Sequence, residues 1–291
     1  MFQGAFTALV TPFKNGGIDE LAFEQLVEFQ IESGITGLVP VGTTGESPTL
    51  DHEEHARVIE LAVRFARGRR PVIAGAGSNS TKEAVELTRD AERLGADAVL
   101  LVAPYYNKPS QEGLFRHYEA IARETRLPII LYSIPGRCGV EIAVETVVRL
   151  AKACPNIVAI KESGGSVDRV SLLRQAIPPE FEILSGDDPL TLPFLAAGAV
   201  GVISVAANLI PAEIVRLVRC FLAGEIGVAR AIHEKYYPLF KDIFIDTNPV
   251  PIKAALSFAG RMSPAVRLPL CEMNETNTNK LRATLESLGF P

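Results

Sequence analysis

The segment Asn156-Ile157-Val158-Ala159-Ile160-Lys161-Glu162-Ser163 closes a short apolar run with a lysine. Residues 157–160 are too few for a helix and rich in β-branched side chains, the pattern of a buried strand. A lysine at the C-terminal tip of such a strand places an amine on a rigid support beside apolar walls, where desolvation disfavours the ammonium form. A neutral amine there can attack a carbonyl and form a Schiff base with a keto substrate. The competing reading is a lysine that merely marks the strand end and reaches water along its stem.

Residues at the ends of other apolar runs bear on that choice. Gly42-Thr43-Thr44-Gly45-Glu46 reads as a tight turn, permitted by two glycines, whose backbone N–H groups and hydroxyls suit a carboxylate. Pro104-Tyr105-Tyr106-Asn107 follows another run. A further run ends in Tyr132 and leads into Pro135-Gly136-Arg137-Cys138-Gly139, and the next after Lys161 ends in Ser185-Gly186-Asp187-Asp188. Adjacent strands lie roughly 4.8 Å apart, which would make Tyr132 and Lys161 near neighbours. A phenol there is a sensible proton relay for imine and enamine chemistry, and the fork of Arg137 fits a substrate carboxylate. Taken singly, each feature reads as well as a turn or a packing residue. Their recurrence on successive strands favours catalysis. An acidic loop after residue 185 and an uncharged stretch at 202–205 do not resemble a phosphate cradle, which argues against phosphorylated sugars.

The elements that must position these groups are legible as an alternation. Strand-like runs at 5–10, 37–41, 72–76, 98–103, 129–133, 157–161, 182–185 and 200–205 are separated by amphipathic helical patterns. Asp51-His52-Glu53-Glu54 and Ser80-Thr81-Lys82-Glu83 have the form of capping boxes, and Asp188-Pro189 that of a cap followed by a proline at the first helical position. Eight strand–helix units predict an α/β fold, a (β/α)8 TIM barrel over residues 1–225. A doubly wound sheet would usually carry a glycine-rich nucleotide loop after its first strand, and here Val10-Thr11-Pro12-Phe13 follows instead. Helical patterns at 226–244, 251–258 and 275–288 predict a C-terminal helical extension over 226–291.

In the 291 residues, hydrophobic side chains make up 47%, charged ones 22%, and the net charge is −5. That balance, with no long basic run, argues against nucleic acid or an anionic membrane as a partner. Cys138, Cys154, Cys220 and Cys271 form no CxxC pair and no metal-ligand spacing, as expected of reduced thiols and of a chain without a metal site. No basic n-region precedes the first apolar run, so a cytoplasmic location is expected. Residues 189–212 carry no charge over a length that could span a bilayer, but Pro193, Gly198 and Gly201 break the stretch and make a buried helix–turn–strand the better reading.

These motifs resemble those of the pyruvate-dependent class I aldolases (the N-acetylneuraminate lyase superfamily) and, within them, the dihydrodipicolinate synthase family. The resemblance covers essentially the whole chain, through Ala8-Leu9-Val10-Thr11-Pro12-Phe13, Gly42-Thr43-Thr44-Gly45-Glu46-Ser47, Pro104-Tyr105-Tyr106-Asn107-Lys108-Pro109, Ile160-Lys161-Glu162, Ser185-Gly186-Asp187-Asp188 and Asn248-Pro249-Val250-Pro251-Ile252-Lys253. The Gly-Thr-Thr-Gly-Glu turn and the lysine are shared across the superfamily. The narrower marker is Tyr132-Ser133-Ile134-Pro135-Gly136-Arg137-Cys138-Gly139, which departs from the family in having Ser133 where asparagine is common and Cys138 where threonine is common.

The resemblance implies a lyase of lysine biosynthesis through diaminopimelate, with pyruvate and L-aspartate 4-semialdehyde as substrates and no cofactor. It implies Lys161 as the Schiff-base residue and Tyr132, Thr43 and Tyr106 as a hydroxyl relay, Tyr106 reaching in from a neighbouring subunit. It further implies Thr44, Gly186 and Ile203 at the pyruvate pocket, Arg137 on the second substrate's carboxylate, and a homotetramer built as a dimer of dimers. Members that respond to L-lysine bind it at positions matching Ser47, His52, His55, Asn79, Glu83 and Tyr105. Two other readings stay open: a sister aldolase cleaving sialic acid or 2-keto-3-deoxy sugars, and a barrel that binds a ligand without catalysis.

Overall fold

The computed structural model describes residues 2–290. Eight parallel strands form one sheet: β1 (Gly4–Ala8), β2 (Gly37–Val39), β3 (Ile73–Gly75), β4 (Ala98–Val102), β5 (Ile129–Ser133), β6 (Ile157–Glu162), β7 (Glu182–Ser185) and β8 (Gly201–Ser204). Their order is β2-β1-β8-β7-β6-β5-β4-β3, and a bridge between Leu38 and Val72 joins the two ends. The result is a (β/α)8 TIM barrel, and each of the eight expected runs lies within two residues of a strand at either end. Agreement is this close because buried parallel strands read as continuous apolar runs.

Side-chain alternation divides the core in two. Phe6, Ala8, Val39, Ile73, Leu100, Ile130, Ala159, Leu184 and Ile203 fill the barrel interior, while a larger cluster including Leu38, Val99, Leu131, Ile160 and Val202 packs under the helices. Those helices are α1 (Glu20–Glu32), α2 (His52–Ala66), α3 (Thr81–Arg93), α4 (Gln111–Ala122), α5 (Val144–Ala153), α6 (Val167–Ala176), α7 (Thr191–Ala196) and α8 (Pro211–Leu222). The 189–212 stretch is a buried helix–turn–strand, α7 followed by β8, and among the described residues no helix is long and apolar enough to cross a membrane.

Three helices follow: α9 (Ile226–Asp242), α10 (Val250–Phe258) and α11 (Glu275–Ser287). Asp242 on α9 accepts a hydrogen bond from Thr284 Oγ1 at 2.7 Å and faces Lys280 Nζ at 3.1 Å, both on α11, which ties α9 to α11.

Two local expectations need correction. Asp51 does form a complete capping box with Glu54. Ser80 accepts from Glu83 N at 3.4 Å, but the Glu83 carboxylate does not reciprocate, because it is taken by Ser78 Oγ and by His52 Nε2. Asp188 is not a helix cap, since α7 begins only at Thr191. Its buried carboxylate instead accepts from Ser204 Oγ at 2.5 Å, Val205 N at 3.0 Å and Ala206 N at 3.2 Å, tying the end of β7 to the end of β8. Finally, a two-residue antiparallel pair, Phe13–Lys14 with Gly17–Ile18, separates β1 from α1, and limbs so short leave no periodic signal.

Candidate active site

Lys161 is the penultimate residue of β6 and is paired in register with Tyr132 on β5. Its Nζ lies 4.2 Å from the centroid of the Tyr132 ring, and both residues are 5% exposed. Among the described residues no carboxylate forms an ion pair with Lys161. The amine points into a cavity of about 50 Å³ lined by Ala8, Val39, Gly42, Thr43, Thr44, Leu100, Tyr132, Ile134, Arg137, Lys161, Gly186, Val205, Phe244 and Asn248. Among the described residues no acidic side chain lines it, and Lys161 and Arg137 are its cations, so the field inside favours anions.

The Gly42–Glu46 turn works differently from the sequence expectation. Its left-handed residues are Val41 (φ 50°) and Glu46 (φ 57°), neither a glycine. Gly45 is required by crowding instead, since a Cβ there would meet Val41 N at 3.0 Å and Leu9 O at 3.2 Å. The strained backbone is held from two sides. Thr11 Oγ1 donates to Gly45 O at 2.7 Å, and the fully buried Lys253 of α10 pairs with the Glu46 carboxylate, which also accepts from Arg267 N at 3.1 Å. Burial lowers Lys253 to about 8, against the pull of Glu46 in the other direction. So held, the turn leaves the N–H groups of Thr43 and Thr44, two residues that line the cavity, without a protein acceptor among the described residues. A turn of this form can seat a carboxylate.

The segment before α10 closes the site from above. Asn248 is buried, donates from Nδ2 to Thr44 Oγ1 at 3.0 Å, and accepts at its carbonyl from Arg137 Nη2 at 3.3 Å. Arg137 itself stands on a one-turn helix, Pro135–Cys138, and is exposed at the mouth. On the outer face of β6, the buried Glu162 accepts from Gly164 N at 2.6 Å and Arg169 Nε at 2.8 Å, and Arg169 Nη2 donates to Ile142 O at 2.5 Å. Burial raises the Glu162 pKa, opposed by the Arg169 charge. Gly186 has no room for a side chain, as a Cβ would lie 2.6 Å from Lys161 Cε.

Lys161, Tyr132, Thr43, Thr44, Arg137 and Gly186 therefore meet at one cavity. Ile203 does not line it. It is fully buried in the interior cluster with Ala8, Val39, Leu100 and Tyr132, which do, so it backs the wall. Nor is the hydroxyl relay closed within one chain: no hydrogen bond joins Thr43 to Tyr132 among the described residues, and Tyr106, at φ 72°, is 89% exposed. Among the described residues there is no cluster of His, Cys, Asp or Glu suited to a metal ion.

A second cavity of about 380 Å³ shares Thr43, Tyr132 and Arg137 with the first and extends to Ser47, His52, His55, Glu83, Tyr105 and Cys138. Within it His52 Nε2 meets Glu83 Oε1 at 2.9 Å, and the Nε2 of the buried His55 has no hydrogen-bond partner among the described residues. Burial lowers the His55 pKa and pushes the Cys138 thiol up to about 11. Asn79 stands behind the lining, donating from Nδ2 to Tyr105 O at 3.2 Å.

Asn248, Lys253 paired with Glu46, and Glu162 paired with Arg169 were not expected as parts of the site. Asn248 and Lys253 stood in a motif, but nothing local distinguishes a residue that folds back about 200 positions onto a catalytic turn.

A profile of the dihydrodipicolinate synthetase family matches residues 1–288. The chain belongs to this family. The 4-hydroxy-tetrahydrodipicolinate synthase of Syntrophus aciditrophicus is 55% identical over 290 residues, covering 100% of this chain and 99% of the relative. The solved structure of the 4-hydroxy-tetrahydrodipicolinate synthase from Methylacidiphilum fumariolicum SolV is 57% identical with a TM-score of 0.99, covering 99% of this chain and 96% of that one. The lysine-bound dihydrodipicolinate synthase of Cyanidioschyzon merolae is 42% identical with a TM-score of 0.96, covering 99% and 98%.

Proposed function

We propose that this chain condenses pyruvate with L-aspartate 4-semialdehyde to give 4-hydroxy-tetrahydrodipicolinate, a step of lysine biosynthesis through diaminopimelate. The observation that carries the reading is a buried amine without an anionic partner, in register with a tyrosine, in a cavity whose opposite wall offers two free N–H groups. Lys161 Nζ attacks the C2 carbonyl of pyruvate, water leaves, and the imine loses a C3 proton to give an enamine. The pyruvate carboxylate rests on Thr43 and Thr44, and Tyr132 moves protons. The enamine adds to the aldehyde, Arg137 holding that substrate's carboxylate. The substrate's own amine then displaces Lys161 as the ring closes.

The relay is completed by Tyr106 of a second copy, because its hydroxyl stands in solvent in the single chain, and assembly as a dimer of dimers follows in this reading. Mixing Tyr106→Phe with Lys161→Ala chains should then restore activity, and no recovery after verified subunit exchange refutes a shared site. The second cavity is the proposed seat of inhibitory L-lysine. The four free cysteines fit a reducing cytoplasm.

The decisive experiment compares turnover of pyruvate plus L-aspartate 4-semialdehyde with cleavage of N-acetylneuraminate. Efficient cleavage of the latter, without condensation, would replace this reading with the sister aldolase.

A further inference from the structure

Ser163 follows β6 directly, and the strand's alternation reaches it. Lys161 enters the cavity and Glu162 turns outward to Arg169, while Ser163 does not itself line the cavity but lies against Gly186, which does. Ladder bonds persist at this level: Ser163 N donates to Ser133 O at 2.9 Å and Gly186 N to Glu162 O at 2.8 Å. A Cβ built on Gly186 would lie 1.9 Å from Ser163 Oγ and 2.6 Å from Lys161 Cε, so the hydroxyl and the amine-bearing chain rest against the same glycine.

The neighbouring strand-end serine hydroxyls are engaged. Ser185 Oγ donates to Asp187 O at 2.9 Å, Ser204 Oγ to Asp188 Oδ1 at 2.5 Å, and Ser133 Oγ accepts from Ile142 N at 3.5 Å. Ser163 Oγ alone of these four is buried without a partner. An unsatisfied buried hydroxyl lowers stability, and one kept beside a reactive amine points to a ligand.

We propose that Ser163 Oγ donates a hydrogen bond to the aldehyde oxygen of the second substrate, at the carbon the enamine attacks. This rests on the condensation described above. In that reading the pyruvate carboxylate is held on the turn after β2, four strands from β6 in an eight-stranded ring and hence across the barrel. Ser163 stands on the other wall, its Cα about 6–7 Å further along the strand than that of Lys161, while its Oγ and the Lys161 side chain meet beside Gly186. As the enamine carbon bonds to the aldehyde carbon, the enamine nitrogen becomes iminium and the carbonyl π pair moves onto oxygen. Ser163 stabilises that developing alkoxide, which takes its proton from Tyr132.

Two reactions of Ser163→Ala separate this role from a structural one. Exchange of the pyruvate methyl protons in D2O needs Lys161 but no aldehyde, and should stay within about twofold of wild type. Condensation kcat should fall about 10- to 100-fold with KM for pyruvate little changed. Equal loss of both reactions, or an unchanged kcat, overturns the proposal. Wild-type protein that exchanges pyruvate protons but fails to condense the semialdehyde refutes the functional reading itself, a different result.

Discussion

Two buried lysines face aromatic rings at the same distance, and they are built for opposite purposes. Lys161 Nζ is 4.2 Å from the Tyr132 ring and Lys253 Nζ is 4.2 Å from the Phe13 ring. Lys253 is fully buried against the Glu46 carboxylate, which fixes a charge and uses it as a strut for the catalytic turn. Lys161 has no anionic partner among the described residues and opens onto a cavity. Burial alone therefore does not make a lysine reactive. A counter-ion holds the ammonium of Lys253 in one place, while the amine of Lys161, without one among the described residues, is free to meet whatever enters the cavity.

The sharpest way to break this contrast is at Lys161. Pyruvate with borohydride should add a reduced pyruvyl group there, detected by peptide mass, and Lys161→Arg should lose at least about 1,000-fold in kcat because guanidinium stays protonated. An adduct on Lys253 would invert the assignment. The next largest effect is on stability. Glu46→Gln leaves the Lys253 ammonium buried and uncompensated, which should cost about 3–5 kcal/mol, read from the urea midpoint. Lys161→Met should leave that midpoint unchanged or raise it, since no ion pair is lost. If the two lysine sites respond alike, the distinction drawn here fails.

Arg137 extends the contrast to a cation at the mouth, whose guanidinium among the described residues is bonded only to the Asn248 carbonyl. Arg137→Ala should raise KM for L-aspartate 4-semialdehyde about 10- to 100-fold while that for pyruvate moves little. Equal effects on both substrates would place Arg137 elsewhere in the reaction. The smallest expected effect is regulatory. Millimolar L-lysine should lower activity with a coupling of about fivefold or more, and Glu83→Ala or His55→Ala should relieve it. Inhibition unchanged in both variants moves the effector out of the second cavity.

Much of the barrel was legible because its signals are local. Strands 129–133 and 182–185 were located to the residue, since a run of buried β-branched side chains between turn residues has few other solutions. Asp188 shows where the local signal misleads. Asp-Pro is a common helix start, yet the carboxylate is drawn instead to Ser204 and two N–H groups sixteen to eighteen residues away. Glu83 was claimed by a nearby hydroxyl and a histidine from another helix in the same way.

The sequence by itself determined the strand–helix alternation, the strand-end placement of Lys161 and Tyr132, and the family, because each is written in residues adjacent in the chain. Tertiary structure alone decided which lysine is paired and which is not. It decided that Val41 and Glu46, not the glycines, take the left-handed conformations of the carboxylate turn. It also brought Asn248 and Lys253 back over that turn from the C-terminal helices. These outcomes depend on which groups meet after closure of the barrel, where a buried charge or hydroxyl is satisfied by whichever partner the packing delivers rather than by its neighbours in sequence.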